Sequence, residues 1–432
     1  MDTINLLQED KTQVVSSSLE AQNGIILTPD QQQVNIHLQN WCIDKEHNKP
    51  GVFSGYAGVG KSTVLGIFVE TIKDKSPHWN IGMTAPTHKA VKVLRKFAYP
   101  DVEYRTLHSM LGLKEQVNEF TGEVTYAPDK YPKEPPGIAN LNLLIIDEVS
   151  MLTDELFNYL VPWIKKGLKV LFCGDRAQIP PVKHKDCIPF LRANDWGMPQ
   201  WNLTEVMRQK SGNPILEFAT AIRNNQKTGH FTPQEHVLEN GQGIKLVPHA
   251  SIEEFEVLKT YFSDVKFKED SDYMKVIAWR NNTVNKYNDI IRGIIYKDEP
   301  HLNDIMKGEK LLMDKPYILN ARSILTRNEE IEVKNVVTCM KQLSYLNSLS
   351  IPSSINVKFY NIGVEWYTDK GTKHGNILVV HEDSKTLYLD TLESLKKYAL
   401  SAPPTLKGKM WKQYYGMIEQ SAWVKYNYAI TA

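Results

Sequence analysis

The stretch that most constrains this chain is Gly55-Tyr56-Ala57-Gly58-Val59-Gly60-Lys61-Ser62. It matches the spacing G-x-x-x-x-G-K-[ST]. A short apolar strand pattern, Gly51-Val52-Phe53-Ser54, precedes it, and an apolar-faced helix runs on from Thr63 to Lys73. Glycines at this spacing let the backbone curl until its N–H groups surround a phosphate. The helix N-terminus behind the loop favours the same anion. Lys61 is placed to reach the outer phosphates, and the Ser62 hydroxyl to ligate Mg²⁺. Gly55, Gly58, Gly60 and Thr63 complete the expected cradle. Strand, loop and helix in this order point to an α/β fold whose parallel sheet binds its ligand at the carboxyl ends of the strands.

Two more apolar runs end in polar residues, as that geometry demands. Leu143-Leu144-Ile145-Ile146 runs into Asp147-Glu148. Asp147 suits a Mg²⁺ ligand, and Glu148 suits a base that orients and deprotonates water. Leu171-Phe172-Cys173-Gly174 runs into Asp175-Arg176-Ala177-Gln178. An Asp and a Gln at such a strand end can sense a terminal phosphate, which makes Gln178 a catalytic candidate. Further strands are expected at Ile81–Ala85 and Val276–Trp279. Helices are expected at Pro29–Ile43 with Thr28 as N-cap, at Lys89–Phe97, at Asn213–Asn225 and from Trp279 to about Ile295.

Composition narrows the class further. The 432 residues suggest about three domains. With 42% hydrophobic and 23% charged residues, a wholly disordered chain is excluded. Net charge is +1, so any nucleic-acid contact rests on a local basic groove. Four cysteines (Cys42, Cys173, Cys187 and Cys339) lie far apart without C-x-x-C spacing. That argues against a disulfide scaffold or zinc ribbon. No window holds the ~20 apolar residues of a membrane helix, and Met1–Asn23 lacks a secretory pattern. A cytoplasmic protein with no membrane partner is expected, in a bacterial or phage-infected host cell.

In order along the chain, the motifs are the phosphate loop; Ala85-Pro86-Thr87-His88-Lys89-Ala90; Thr106-Leu107-His108; Ile145 to Met151; Gly174 to Val182; and Leu203-Thr204-Glu205-Val206-Met207-Arg208. Together they resemble motifs I, Ia, Ib, II, III and IV of the superfamily 1 DNA helicases, in the Dda/RecD-like branch. Leu27-Thr28-Pro29-Asp30-Gln31 is similar to the Q motif of that family. The resemblance covers about residues 25–295 and continues weakly through 300–432. It implies a P-loop NTPase with two RecA-like parallel-sheet domains. It also implies a 1B-type inserted hairpin and a β-rich, SH3-like insert. It further implies ATP and Mg²⁺ as cofactors and 5′-to-3′ movement on single-stranded DNA. Gln31 would contact adenine, and Arg208 would act as an arginine finger, the alternative for Arg208 being a surface salt bridge.

The expected boundaries are a flexible arm over 1–24, a first RecA-like domain over 25–210 with the hairpin at 112–138, and the first part of a second domain over 211–298. A β-rich insert of short strands follows over 299–417, and a return strand over 418–432. Candidate DNA contacts are Pro86, Thr87, His88, Thr106, His108 and Asn281. His88 reads as a base wedge or as a helix cap. Phe120, at the tip of the hairpin, reads as a strand-separating pin or as a residue packing beneath itself. Trp279 reads as core rather than platform. Lys407, Lys409 and Lys412 read as a solvated β-domain face.

The chain holds no H-K-x-Q-G string after Tyr428-Ala429-Ile430-Thr431 and no second arginine motif. The second domain is therefore expected to lack strands and to expose an apolar edge. The leading expectation is an ATP-dependent DNA helicase or translocase. It would act on single-stranded DNA and on junctions with duplex, be a monomer, and have replication or recombination proteins as candidate partners. A second reading is a split or incomplete fragment that hydrolyses ATP poorly without a complementing C-terminal chain. A third is a phosphate-loop ATPase acting on protein or metabolite.

Overall fold

The computed structural model describes residues 26–431 apart from 47–48, 57, 87, 96–98, 118–123, 130–133, 182–185, 205–212, 226–228, 298–303, 320–322, 326, 347–350 and 369–370. The expected arm, Thr87, Phe120 and Arg208 lie outside the described residues.

The first unit begins with α1 (Pro29–Ile43), which starts where Thr28 and Gln31 form a reciprocal capping box and Pro29 needs no donor. It continues through β1 (Gly51–Gly55), α2 (Lys61–Lys75), β2 (Ile81–Ala85), α3 (His88–Arg95), β3 (Val102–Thr106) and the one-turn α4 (Leu107–Met110). An antiparallel hairpin, β4 (Leu113–Val117) with β5 (Val124–Pro128), forms a separate two-stranded ladder. Then come β6 (Leu143–Ile146), α5 (Asp154–Lys165), β7 (Lys169–Gly174), α6 (Ile188–Arg192) and β8 (Gln200–Leu203).

Among the described residues the sheet has six strands, ordered β3-β2-β6-β7-β1-β8, and every pairing is parallel. Its central strands are apolar because both faces are covered. On one face Phe53 of β1 and Ile145 of β6 pack with Leu38 of α1 and with Phe68 and Ile72 of α2. On the other Leu144 and Ile146 of β6 and Phe172 of β7 pack with Phe157 and Leu160 of α5.

The chain leaves the sheet through α7 (Pro214–Asn225) and a two-residue ladder, β9 (His236–Val237) with β10 (Gly243–Ile244). Next follow α8 (Ile252–Phe262), α9 (Val265–Glu269), β11 (Val276–Ala278) and α10 (Asn281–Ile295). Phe262, Phe267, Ile291 and Tyr428 form a small core here.

Beyond α10 lie β12 (Lys310–Met313), the hairpin β13 (Tyr317–Leu319) with β14 (Ser323–Leu325), β15 (Glu330–Leu346), β16 (Pro352–Thr368) and β17 (Gly371–Val380). Then come α11 (Glu382–Ser401), α12 (Pro404–Ile418), β18 (Val424–Tyr426) and β19 (Ala429–Thr431). Among the described residues the antiparallel sheet runs β17-β16-β15-β12-β18. β19 instead pairs in parallel with β11.

This half differs from the sequence expectation in two ways. Its strands are not all short: β15 and β16 span 17 residues each and form a long ribbon. The last third of 299–417, where short strands and turns are expected, is a pair of helices, α11 and α12. Tyr388, Leu392 and Leu395 of α11 pack with Met417 against Val357 and Phe359 of the ribbon. Lys407, Lys409 and Lys412 therefore ride on α12 rather than on a β face, with Trp411 buried among them. Pro404 opens α12 for the same reason that Pro29 opens α1.

A buried ion pair ties α10 to the segment before β12. Arg292 of α10 donates to Glu309 at 2.7 Å and to the Asp304 carbonyl at 2.5 Å. Tyr428, just before β19, donates to the same Glu309 carboxylate at 3.1 Å.

Candidate functional site

The site is assembled at the carboxyl ends of β1, β6 and β7. After β1 the chain turns through Gly58 and Gly60, both at φ +85°, a region that side chains disfavour. A side chain at Gly60 would also strike Gln31, since a Cβ there would lie 2.5 Å from the amide nitrogen. Gln31 belongs to the loop's structure. Its Nε2 donates to the Val59 carbonyl at 2.9 Å, and its Oε1 accepts from the Thr28 N–H at 3.0 Å. One N–H and one lone pair of this amide remain for a base. Lys61 donates to the carbonyls of Gly55 (2.8 Å) and Tyr56 (3.0 Å), so its ammonium lies inside the loop. Ser62 and Thr63 are half-buried in the first turn of α2.

β6 delivers Asp147 and Glu148. Burial pushes the Asp147 carboxyl up to about 6, and the neighbouring Glu148 charge adds to this; the Glu148 N–H, donating at 3.0 Å, and Lys61 oppose it. A bound cation would favour the ionised form of this carboxyl and bring its pKa back down. Glu148 itself sits at φ +52°, a left-handed backbone that is strained for any residue but glycine.

β7 delivers the Asp175 turn. The Asp175 carboxylate accepts from the Ala177 N–H at 3.0 Å, and its carbonyl from the Gln178 N–H at 3.2 Å. The Gln178 side chain accepts from the Ser150 hydroxyl at 3.2 Å, linking this turn to the one after Glu148. Gly174 makes that link possible, because a Cβ there would lie 3.1 Å from Val149.

Sequence reasoning missed Arg223, which enters from α7. It grips Asp175 with both terminal nitrogens, Nη1 to Oδ1 at 2.9 Å and Nη2 to Oδ2. Its guanidinium lies over the Tyr56 ring, 4.0 Å from the centroid. The nearest signal in the sequence is a basic residue in the last turn of an expected helix, and such a signal names no partner.

The nucleic-acid candidates divide. Strand register pairs Thr84 with Ile146 and Ala85 with Thr106, so Pro86 and Thr106 share the sheet edge that carries Asp147. The Thr106 hydroxyl accepts from the Ser109 N–H at 3.3 Å and caps α4. His108 packs its ring on Tyr126 of the hairpin, 4.8 Å between centroids, and burial lowers its pKa against the charge of Glu155. His88 opens α3. Asn281 is exposed at the first turn of α10, away from this edge in sequence and on the second unit. Trp279 is 79% exposed, which corrects the expectation that it is core; with β11 paired only to β19 among the described residues, no described layer covers it.

A phosphate loop after the first strand, an Asp-Glu pair after the third strand of the sheet order and a Gln turn on its neighbour define a P-loop nucleoside triphosphatase. The family of AAA domains matches residues 39–242. The chain is 28% identical over 351 residues to the ATP-dependent DNA helicase dda of Enterobacteria phage T4, covering 79% of this chain and 74% of that protein. It is 32% identical over 171 residues to the ATP-dependent RecD2 DNA helicase of Deinococcus radiodurans, covering 40% of this chain and 21% of that protein. The Pif1 helicase of Candida albicans aligns in structure at 18% identity and a TM-score of 0.44, over 82% of this chain and 78% of that one. The chain is thus similar to ATP-dependent DNA helicases of the Dda and RecD type.

Among the described residues no helix is long and apolar enough to cross a membrane.

Proposed function

We propose that the chain is an ATP-dependent DNA helicase that moves along single-stranded DNA. The observation that carries this reading is the convergence of Lys61, Asp147, Glu148 and Gln178 on one sheet edge, with Pro86 after the adjacent strand β2 and Thr106 at the end of β3 on the same edge. Hydrolysis and strand contact are then joined by a rigid sheet.

The residues present fit the expected ligands. The Gly58–Gly60 turn leaves a cradle that a side chain would fill, and Asp147 carries a carboxyl that burial holds up to about 6 until a cation relieves it. Ser62 and Asp147 would hold Mg²⁺, which when bound neutralises charge on the phosphates. Lys61 exchanges its carbonyl partners for phosphate oxygens. Glu148 orients the attacking water and takes its proton. Gln178, on a turn hydrogen-bonded to the Glu148 side of the site, carries the state of the terminal phosphate toward the β2 and β3 ends. Arg208 is proposed as the finger that stabilises transition-state charge. Thr87, His88, Phe120 and Asn281 are proposed DNA contacts, and movement is proposed to run 5′ to 3′.

The test is steady-state ATP hydrolysis with and without oligo(dT), and unwinding of a duplex with a 5′ single-stranded tail. DNA-stimulated hydrolysis that Lys61→Ala abolishes is expected. Hydrolysis indifferent to DNA would overturn the reading.

A further inference from the structure

Arg223 joins two parts of the nucleotide site that the sheet alone does not connect. Its fork engages both oxygens of Asp175, and its flat face lies on Tyr56 of the phosphate loop. The Tyr56 carbonyl is at the same time a partner of Lys61. Asp175 in turn organises the turn that ends at Gln178, through its carboxylate to Ala177 and its carbonyl to Gln178. One guanidinium therefore bridges the loop that holds phosphate and the turn that senses it.

The arrangement is more than a surface ion pair. Asp175 is 3% exposed. Burial alone would push its carboxyl up; the Arg223 hydrogen bonds and the Ala177 N–H reverse this and leave it lowered. A planar, two-point contact that also stacks on an aromatic ring is one that lysine cannot reproduce.

We propose that Arg223 is a positioning residue of the nucleotide site. It holds the Asp175–Gln178 turn in register with the phosphate loop, so that Gln178 meets the terminal phosphate. The proposal rests on the ATPase reading above. The hydrogen bonds of Arg223 go to Asp175 and not to Lys61 or Ser62, so diphosphate binding is expected to be largely retained without it. What is lost is the response to the third phosphate.

The experiment compares wild type, Arg223→Ala, Arg223→Lys and the double variant Arg223→Ala/Asp175→Ala. Three quantities are read: kcat and KM for DNA-stimulated ATP hydrolysis, Tm without nucleotide, and the extra Tm shift that Mg·ATPγS gives over Mg·ADP. Arg223→Ala is expected to lower kcat about 10- to 100-fold, the scale of a misplaced group, with the ATP KM within about threefold. It should also lose the extra ATPγS shift. Arg223→Lys should fall between it and wild type. The double variant removes both charges, so its Tm should recover toward wild type while kcat stays low. Recovery of kcat together with Tm would overturn the proposal, as would wild-type kcat in Arg223→Ala. A wild-type chain that melts identically in Mg·ADP and Mg·ATPγS would also overturn it. A wild-type chain that distinguishes the two nucleotides but shows no DNA-stimulated hydrolysis would overturn the helicase reading alone.

Discussion

The Gln31 carboxamide donates to the Val59 carbonyl across 2.9 Å, so the cap of α1 is hydrogen-bonded to the middle of the phosphate loop. Gln31→Ala leaves the Val59 carbonyl and the Thr28 N–H unpaired, which should cost about 1–3 kcal/mol of stability. It also loosens the loop for every nucleotide. Affinities for ATP and GTP, measured by competition with a fluorescent ADP analogue, should therefore fall by similar factors. A loss confined to ATP would mean that the remaining donor and acceptor of Gln31 read adenine.

Lys61 lies against the Gly55 and Tyr56 carbonyls, both of which also face the loop. Lys61→Ala should change the nucleotide-free Tm little, because these contacts are partly exposed. It should remove most of the Tm increase caused by Mg·ATP and lower kcat by about 10²–10³, the scale for losing a preorganised cationic donor. Scanning calorimetry with and without nucleotide separates the two effects.

Asp147 gives the site a pH signature. Its carboxyl is raised to about 6 in the folded chain, from an ordinary 3.8. A raised pKa means that this group favours the fold while it is protonated. That contribution is complete below about pH 4 and is lost as pH rises through about 6. Asp147→Asn removes the buried charge, so it should raise Tm at pH 7.5 and leave it nearly unchanged near pH 4. A Tm increase of equal size at both pH values would show that the carboxylate is not strained by its surroundings.

How much of this was legible in the residues depended on range. β6 and β7 were readable because a buried parallel strand is apolar throughout and its polar end is abrupt: Ile146 to Asp147, and Gly174 to Asp175. The helical period of α11, with Tyr388, Leu392, Leu395 and Ala399 buried, was also present. The strand Asn376–Val380 immediately before it drew the whole region into a β reading. The pairing of Arg223 with Asp175 was not legible, because the two are 48 residues apart and only the fold brings them together. Nor was the exposure of Trp279, since an apolar run of three residues reads the same whether covered or bare.

Glu148 combines a strained backbone with the proposed base. Its φ of +52° costs of order 1–3 kcal/mol in a non-glycine residue. Glu148→Gly should relieve that strain and raise Tm while abolishing hydrolysis. Glu148→Gln keeps the strain and the shape, and should lower kcat about 10²–10⁴-fold with nucleotide binding retained. A Glu148→Gly chain that melts lower than Glu148→Gln would show that the conformation is held without cost.

The Arg292–Glu309 pair should set the stability of the second half of the chain. Glu309 is 1% exposed and accepts from Arg292, the Met306 N–H and Tyr428. These partners come from α10, from the approach to β12 and from the approach to β19, so one carboxylate joins three segments distant in sequence. Arg292 also lies over the Tyr426 ring at 4.0 Å. Truncating one partner of a buried pair leaves the other charge without compensation, which typically costs about 3–5 kcal/mol. Glu309→Ala should lose that much by urea denaturation. Arg292→Met with Glu309→Leu replaces both charges with apolar volume and should lose clearly less. The six-stranded sheet makes none of these contacts, so nucleotide affinity should be the same in both variants. A double variant as unstable as Glu309→Ala would mean that the hydrogen bonds from Met306 and Tyr428, rather than the unpaired charge, dominate the loss.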